Sequence, residues 1–292
     1  PANAGDPMGL ALYAFDGTWN HRLRMVHTTN VDLLMKAYVG TAVYEPGVGT
    51  DDIFGNQIAC GLTGCGGAAR IDDAMENLER LWNSGDQQID IVGFSRGAAE
   101  AREFANRIVR EGVFDTRLGR RVVPRIRFLG LFDTVGSFGW PGNRANFGYE
   151  LSIPLNVEKV RQAVAADERR GFFPLSSIKE FEGQENTDRA TERYFTGSHS
   201  DCGGGYEDDA RLAERSLYWM WQEAVEAGVP LAPWEGSPPE RASIGASPSG
   251  ERFCVPTVHD SRNLLDHARD AIAWFLGGRV HRTVYYYPRS LE

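Results

Sequence analysis

Gly93-Phe94-Ser95-Arg96-Gly97 reads G-x-S-x-G, a string short enough to arise by chance, so its surroundings decide its meaning. The β-branched run Ile89-Asp90-Ile91-Val92 precedes it, and an Ala-rich stretch carrying Phe104, Ile108 and Val109 on one face follows it. A strand, a sharp turn and a helix in immediate succession push the serine out of the sheet, and small residues on both sides make room for the strained turn. In that geometry the Ser95 hydroxyl faces solvent at a helix N-terminus, and the N–H of Arg96 can donate to a developing oxyanion. The plainer alternative is a Gly-rich turn in which Ser95 only caps the helix; the flanking strand and helix favour the nucleophile.

A serine nucleophile needs a histidine to take its proton and a carboxylate to orient that histidine. Of six histidines, His21 and His27 fall in the loop after the first strand, His267 in a helix and His281 at the start of the last strand. His199 and His259 fall in polar loops near element ends, where sites of alternating α/β folds assemble. Asp16, Asp133 and Asp201 end strands. Two triads follow: Ser95, Asp201, His259 and Ser95, Asp133, His199, both in the chain order serine, acid, histidine. The first is preferred, because its acid follows a later strand and Gly203-Gly204-Gly205 allows close backbone approach. Asp133 or His199 then supports the triad from outside it. Asp16-Gly17-Thr18 offers the N–H of Gly17 or Thr18 as second oxyanion donor, beside the simpler reading of a turn in which Asp16 bonds its own backbone.

The elements that must hold these residues alternate. Leu10 to Phe15 is a buried strand; Thr29 or Asn30 caps a helix over Val31, Leu34 and Ala37; Tyr44 to Thr50 is a strand and turn; and Ile71, Met75, Leu78 and Trp82 lie at helical spacing up to Gly85. Arg125 to Phe132 and Glu192 to Phe195 read as strands, with a helix over Val157 to Arg169 between them. Leu212 to Ala227 and Asn263 to Phe275 read as helices, and Val280 to Tyr287 as a last strand. The expected fold is a three-layer α/β sandwich with a mainly parallel central sheet.

Composition sets bounds. The 292 residues are 42% apolar and 24% charged, enough for a substantial core and incompatible with disorder. A net charge of −9 argues against nucleic acid as partner. No apolar run approaches the ~18 residues of a spanning helix, and no leader pattern precedes the first strand. Cys60, Cys65, Cys202 and Cys254 read as free thiols, with one bridge at most, and no metal or organic cofactor is expected. Gly61 to Gly67 lacks the Gly-Lys-Ser/Thr of a phosphate loop. The cluster Arg117, Arg120, Arg121, Arg125 and Arg127 reads as solvated surface, and Tyr218 to Trp221 as core and rim of a helix. The loop carrying Phe138, Trp140 and Phe147 is the lid candidate.

Taken together, Phe15-Asp16-Gly17-Thr18-Trp19-Asn20, Thr29-Asn30-Val31, Pro46-Gly47-Val48-Gly49-Thr50, Gly93-Phe94-Ser95-Arg96-Gly97-Ala98, Gly130-Leu131-Phe132-Asp133-Thr134-Val135-Gly136, Ala166-Asp167-Glu168-Arg169-Arg170 and Gly197-Ser198-His199-Ser200-Asp201-Cys202-Gly203-Gly204-Gly205-Tyr206 resemble, in order, the α/β-hydrolase domain of type VI secretion phospholipase effectors. The resemblance runs from about Leu10 to Ser261. It implies an antibacterial lipase-type toxin that cleaves acyl esters of membrane phospholipids, with Ser95 as nucleophile. It implies secretion machinery and a cognate immunity protein as partners, and delivery from the producer's cytoplasm to the periplasm or membrane surface of a target cell. The chain departs from the family in Cys202, where Val is usual, and in lacking the membrane-docking region of longer members. Pro1 with Asp6-Pro7-Met8-Gly9-Leu10 resembles the end of an Rhs-type toxin core. Residues 1–10 are therefore read as a leader or the end of such a carrier, and 11–292 as the catalytic domain; the start at Pro1 is read as a sign of processing or of a fragment. Two other functions are kept: a serine hydrolase of a soluble ester or thioester, and a non-catalytic interaction module on the same scaffold.

Overall fold

Alternation of buried apolar strands with amphipathic helices leaves one economical solution, helices on both faces of a parallel sheet. The computed structural model describes residues 9–17, 28–47, 67–136, 148–170, 173–182, 186–206, 208–239 and 257–260 and has that form. In chain order the elements are β1 (Gly9–Phe15), α1 (Asn30–Ala37), β2 (Thr41–Glu45), α2 (Gly67–Ser84), β3 (Asp86–Phe94), α3 (Arg96–Glu111), β4 (Val113–Asp115), β5 (Arg120–Val122), β6 (Ile126–Phe132), β7 (Val157–Ala165), α4 (Lys179–Glu182), β8 (Ala190–Phe195), α5 (His199–Gly203) and α6 (Arg211–Glu226). Six strands form one sheet in the order β2-β1-β3-β6-β7-β8, every described neighbouring pair parallel. β4 and β5 make a separate antiparallel hairpin.

One face of the sheet is covered by α2 and α3, whose Ile71, Leu78, Phe104 and Ile108 pack on Tyr13, Phe15, Ile89 and Leu129. The other is covered by α1 and α6, through Val31, Leu34, Leu217 and Met220 against Leu12, Val92 and Phe128. Thr29 is the N-cap of α1, its hydroxyl accepting from the Asp32 N–H at 3.2 Å. Asn30 stitches that helix to its neighbours, donating to the carbonyls of Cys202 and Ala213. Trp219 and Met220 are buried in α6, while Tyr218 and Trp221 meet Trp234 on the rim.

After β1 the chain crosses to β2 on one side and returns to β3 on the other, so β1 and β3 flank a switch point. Ligand sites of open α/β sheets form at the carboxyl ends of such strands. The register Phe15↔Gly93 and Phe94↔Phe132 brings Asp16, Ser95 and Asp133 to that one edge.

Three expectations are corrected. Residues 157–165 form a strand, not the start of a helix over Val157 to Arg169: pairing to β6 and β8 on both sides satisfies their backbone and overrides a helix-like spacing of valines. β2 lies at Thr41–Glu45, shifted ahead of the expected Tyr44 to Thr50. Arg127 is only partly exposed and pairs with the buried Asp90, whereas Arg117, Arg121 and Arg125 are exposed. Cys202 is a buried free thiol. Cys60, Cys65, Cys254, the lid candidates Phe138, Trp140 and Phe147, and the elements expected after residue 261 lie outside the described residues, as do His21, His27, His267 and His281.

Candidate active site

Ser95 stands between β3 and α3 with φ 59° and ψ −123°, a backbone conformation L-residues rarely adopt. Space explains the glycines around it. A Cβ on Gly93 would lie 2.7 Å from the Ala98 Cα, and one on Gly97 2.4 Å from the carbonyl oxygens of Phe15 and Asp16. Both ends of the turn are tied to the neighbouring strand exit: the Ser95 N–H donates to the Phe132 carbonyl at 2.9 Å, and the Val135 N–H donates to the Ser95 carbonyl at 3.1 Å. These bonds bracket Asp133, which is itself at positive φ (40°) and fully buried.

The residue that reaches Ser95 is His199. Its Nε2 lies 2.7 Å from Ser95 Oγ, and its Nδ1 lies 2.6 Å from Asp133 Oδ2. A carboxylate only accepts, so Nδ1 carries the proton and Nε2 accepts from the serine hydroxyl, the arrangement a general base requires. The second oxygen of Asp133 accepts from the Ala165 N–H at 3.0 Å, which fixes the carboxylate's plane. The His199 ring is held between Phe94 (centroids 4.7 Å apart) and the edge of Phe173 (5.1 Å), and the backbone N–H of His199 donates to Glu168. Glu168 is also bidentate to Arg170, whose guanidinium covers Phe173 at 3.6 Å. Sequence reasoning gave no role to Phe94, Glu168, Arg170 or Phe173; the Glu168-Arg169-Arg170 string was visible only as part of a family motif.

The preferred triad through His259 is therefore not the one that closes on Ser95. His259 Nδ1 does contact Asp201 Oδ1 at 2.5 Å, but its Nε2 faces both oxygens of Asp208 at 3.2 Å, so both ring nitrogens are engaged by carboxylates. The physical reason lies in α5, which carries both candidate residues. At ~100° per residue, positions 199 and 201 point to nearly opposite faces of a helix.

Of the expected oxyanion donors, Arg96 opens α3, where a helix provides no intrahelical acceptor for its N–H. Gly17 does not offer its N–H, which donates to Asp16 Oδ1 at 2.7 Å. Asp16 is a turn-holder, accepting also from Thr29 and Tyr44, and burial raises its pKa. Thr18 lies outside the described residues. Among the described residues no group of three or more His, Cys, Asp or Glu is gathered as metal ligands would be, and no helix is long and apolar enough to cross a membrane.

Burial pushes the His199 pKa below its ordinary 6.5; the bond and charge of Asp133 oppose this, and the charge of Arg170 adds to it. The neutral, proton-accepting form thus persists to lower pH than for a free imidazole. The acid limb of kcat/KM for ester hydrolysis is expected to have its midpoint below 6.5. A midpoint above about 7 in a steady-state pH profile would contradict this environment.

The family model for the catalytic domain of type VI secretion system Tle1-like phospholipase effectors matches residues 12–123 and 116–223, which include Ser95, Asp133 and His199. The chain belongs to this family. Its fold is similar to that of the Tle1 effector bound to the VgrG spike of the type 6 secretion system, at 20% identity and a TM-score of 0.59 over 95% of this chain and 82% of that one. It is also similar to an uncharacterized protein from Pseudomonas aeruginosa, at 24% identity and a TM-score of 0.53. That match covers 76% of this chain and 46% of the other, so the chain spans less than half of that relative. The uncharacterized protein YEL023C of Saccharomyces cerevisiae is 30% identical over 97 residues, 29% of this chain and 14% of its own length. The Tle1-like residues thus coincide with the sheet and the edge at which the serine, histidine and aspartate meet.

Proposed function

We propose that the chain is a serine ester hydrolase of phospholipase type that acts with Ser95, His199 and Asp133. The observation that carries this reading is the unbroken chain of short hydrogen bonds from Ser95 Oγ through His199 to Asp133, inside the residues shared with Tle1-like effectors. Ser95 Oγ attacks the acyl carbonyl carbon as its proton passes to His199 Nε2. The tetrahedral oxyanion is held by the N–H of Arg96 with a second donor, for which Thr18 remains the candidate. Collapse breaks the ester bond, and the proton leaves His199 with the alcohol, here a lysophospholipid. Water then attacks the acyl-enzyme through the same histidine, releasing fatty acid and restoring Ser95. Asp133 holds the ring and stabilises the imidazolium that forms twice per turnover. No step calls for a metal or an organic cofactor.

Membership of the Tle1-like family supports reading the chain as an effector carried by secretion machinery; a VgrG-like spike or an Rhs-type core as carrier, and an immunity protein protecting the producer, are proposed with it. Delivery is to the periplasm or membrane surface of a target cell, where phospholipid is met from the aqueous side. Residues 11–292 are taken as the catalytic domain, with β1 starting at Gly9, two residues ahead of that boundary. A fluorophosphonate probe is expected to label Ser95 stoichiometrically, and phospholipid vesicles to yield free fatty acid. Labelling with turnover of small esters or thioesters alone would shift the substrate to a soluble acyl donor. A folded sample inert to the probe would leave a non-catalytic module.

A further inference from the structure

The second histidine–aspartate pair needs an account, because a buried carboxylate paired with a nearly buried imidazole beside a catalytic element is costly to build without purpose. Its connections lead back to His199. α5 has only five residues, too few to hold its first residue by intrahelical bonds alone. Its N-cap is Ser198, in a reciprocal capping box with Asp201: the Ser198 N–H donates to Asp201 Oδ2 at 2.8 Å, and the Ser198 side chain accepts from the Asp201 backbone. The same Asp201 carboxylate accepts from the His259 N–H at 3.0 Å and from the His259 ring. The His259 ring stacks on Tyr206 at 3.8 Å, and the Tyr206 hydroxyl lies 3.3 Å from Ser198 Oγ. The routes from His259 through Asp201 and through Tyr206 therefore both end on Ser198, the residue immediately before His199.

A neutral imidazole donates from one nitrogen only, whereas both nitrogens of His259 face carboxylate oxygens. The imidazolium satisfies both at once. We propose that His259 is a positioning residue whose imidazolium bridges Asp201 and Asp208, locking Ser198 and thereby the placement of His199 on Ser95. This rests on the reading that Ser95 and His199 perform the chemistry. Among the described residues, the charged and titratable groups beside the ring or its segment are Asp201 on α5, Tyr206 and Asp208 in the segment after it, Asp209, which pairs with Arg211 and accepts from the Thr257 N–H, and Asp260, next in the chain. Burial disfavours the charge, but Asp201 and Asp208 together outweigh it and raise the His259 pKa above 6.5. Loss of that proton at higher pH leaves one ring nitrogen without a proton to donate and breaks the bridge, so kcat falls on the alkaline side.

The test is the pH profile of kcat on a water-soluble p-nitrophenyl ester, which is independent of any lipid preference. Asp208 is largely exposed, so Asp208→Asn preserves the fold while removing one charge from the bridge. It is expected to move the alkaline limb down by about half a pH unit, the scale of one partly screened charge. His259→Gln keeps a donor for Asp201 but cannot titrate; it is expected to lower kcat by about 10- to 100-fold and to abolish the limb. An unmoved limb in Asp208→Asn, or wild-type kcat with an intact limb in His259→Gln, overturns the proposal. Ser95→Ala in the same assay separates the two readings. Turnover surviving in that variant removes the catalytic reading and this inference with it; turnover lost there beside unmoved limbs removes this inference alone.

Discussion

Ser95→Ala is expected to lower ester turnover by about 10⁶-fold without disturbing the fold, and adding His199→Ala is expected to cost almost nothing more. The two residues act as one unit: without the hydroxyl there is no proton for the imidazole to take, and without the imidazole the hydroxyl at 2.7 Å is too weak a nucleophile. Residual turnover reflects binding and oxyanion donors alone. Steady-state rates for the two single variants and the double variant, with circular dichroism melts for each, check this. Independent losses that multiply in the double variant would mean that Ser95 and His199 do not share a step. Removing Oγ deletes a single polar atom from a site whose backbone is held by the Phe132 and Val135 bonds, so a stability change of less than about 1 kcal/mol is expected.

Asp133→Asn is expected to cost about 10⁴-fold in kcat, and Asp201→Asn at most about 10²-fold. An amide at position 133 presents N–H to His199 Nδ1 or, if flipped, to the Ala165 N–H, and so cannot accept from both as the carboxylate does. The ring then loses the tautomer that leaves Nε2 free to accept from Ser95. Asp201, by contrast, reaches the reaction only through Ser198 and His259. Comparing the two variants in one assay decides between the triads. A larger loss for Asp201→Asn would restore His259 as the base and overturn the assignment of His199 and Asp133.

Much of this site was legible in the residues. Ile89 to Gly97 states strand, elbow and helix, and the spatial need for glycine at 93 and 97 is met by backbone atoms that any chain with this turn would bring close. Asp16 and Asp133, each closing an apolar strand, were readable as residues at the sheet's carboxyl edge, because in parallel sheets that edge is where strands end and loops carry chemistry. The two-sided burial that makes β1, β3 and β6 continuous apolar runs also made them easy to find. β7 was not, since Val157, Val160 and Val164 fall at helical spacing and Glu158, Lys159 and Arg161 favour a helix. Its strand form comes from partners on both sides, and Arg161 is accommodated by Glu223 of α6, a contact between residues far apart in the chain.

The sequence by itself determined that a serine on a strained elbow stands at the end of a parallel sheet, with aspartates closing the strands beside it and two histidines in reach of the later loops. Only the tertiary structure decided which histidine meets it. His199 and Asp201 lie two residues apart, indistinguishable as candidates in a linear reading, yet α5 turns them to opposite faces. One face meets the Ser95 edge set by the β3–β6 register, and the other meets His259. That choice depends on where a five-residue helix is pinned, and its pins come from Glu168 and His259, which no local pattern connects to it.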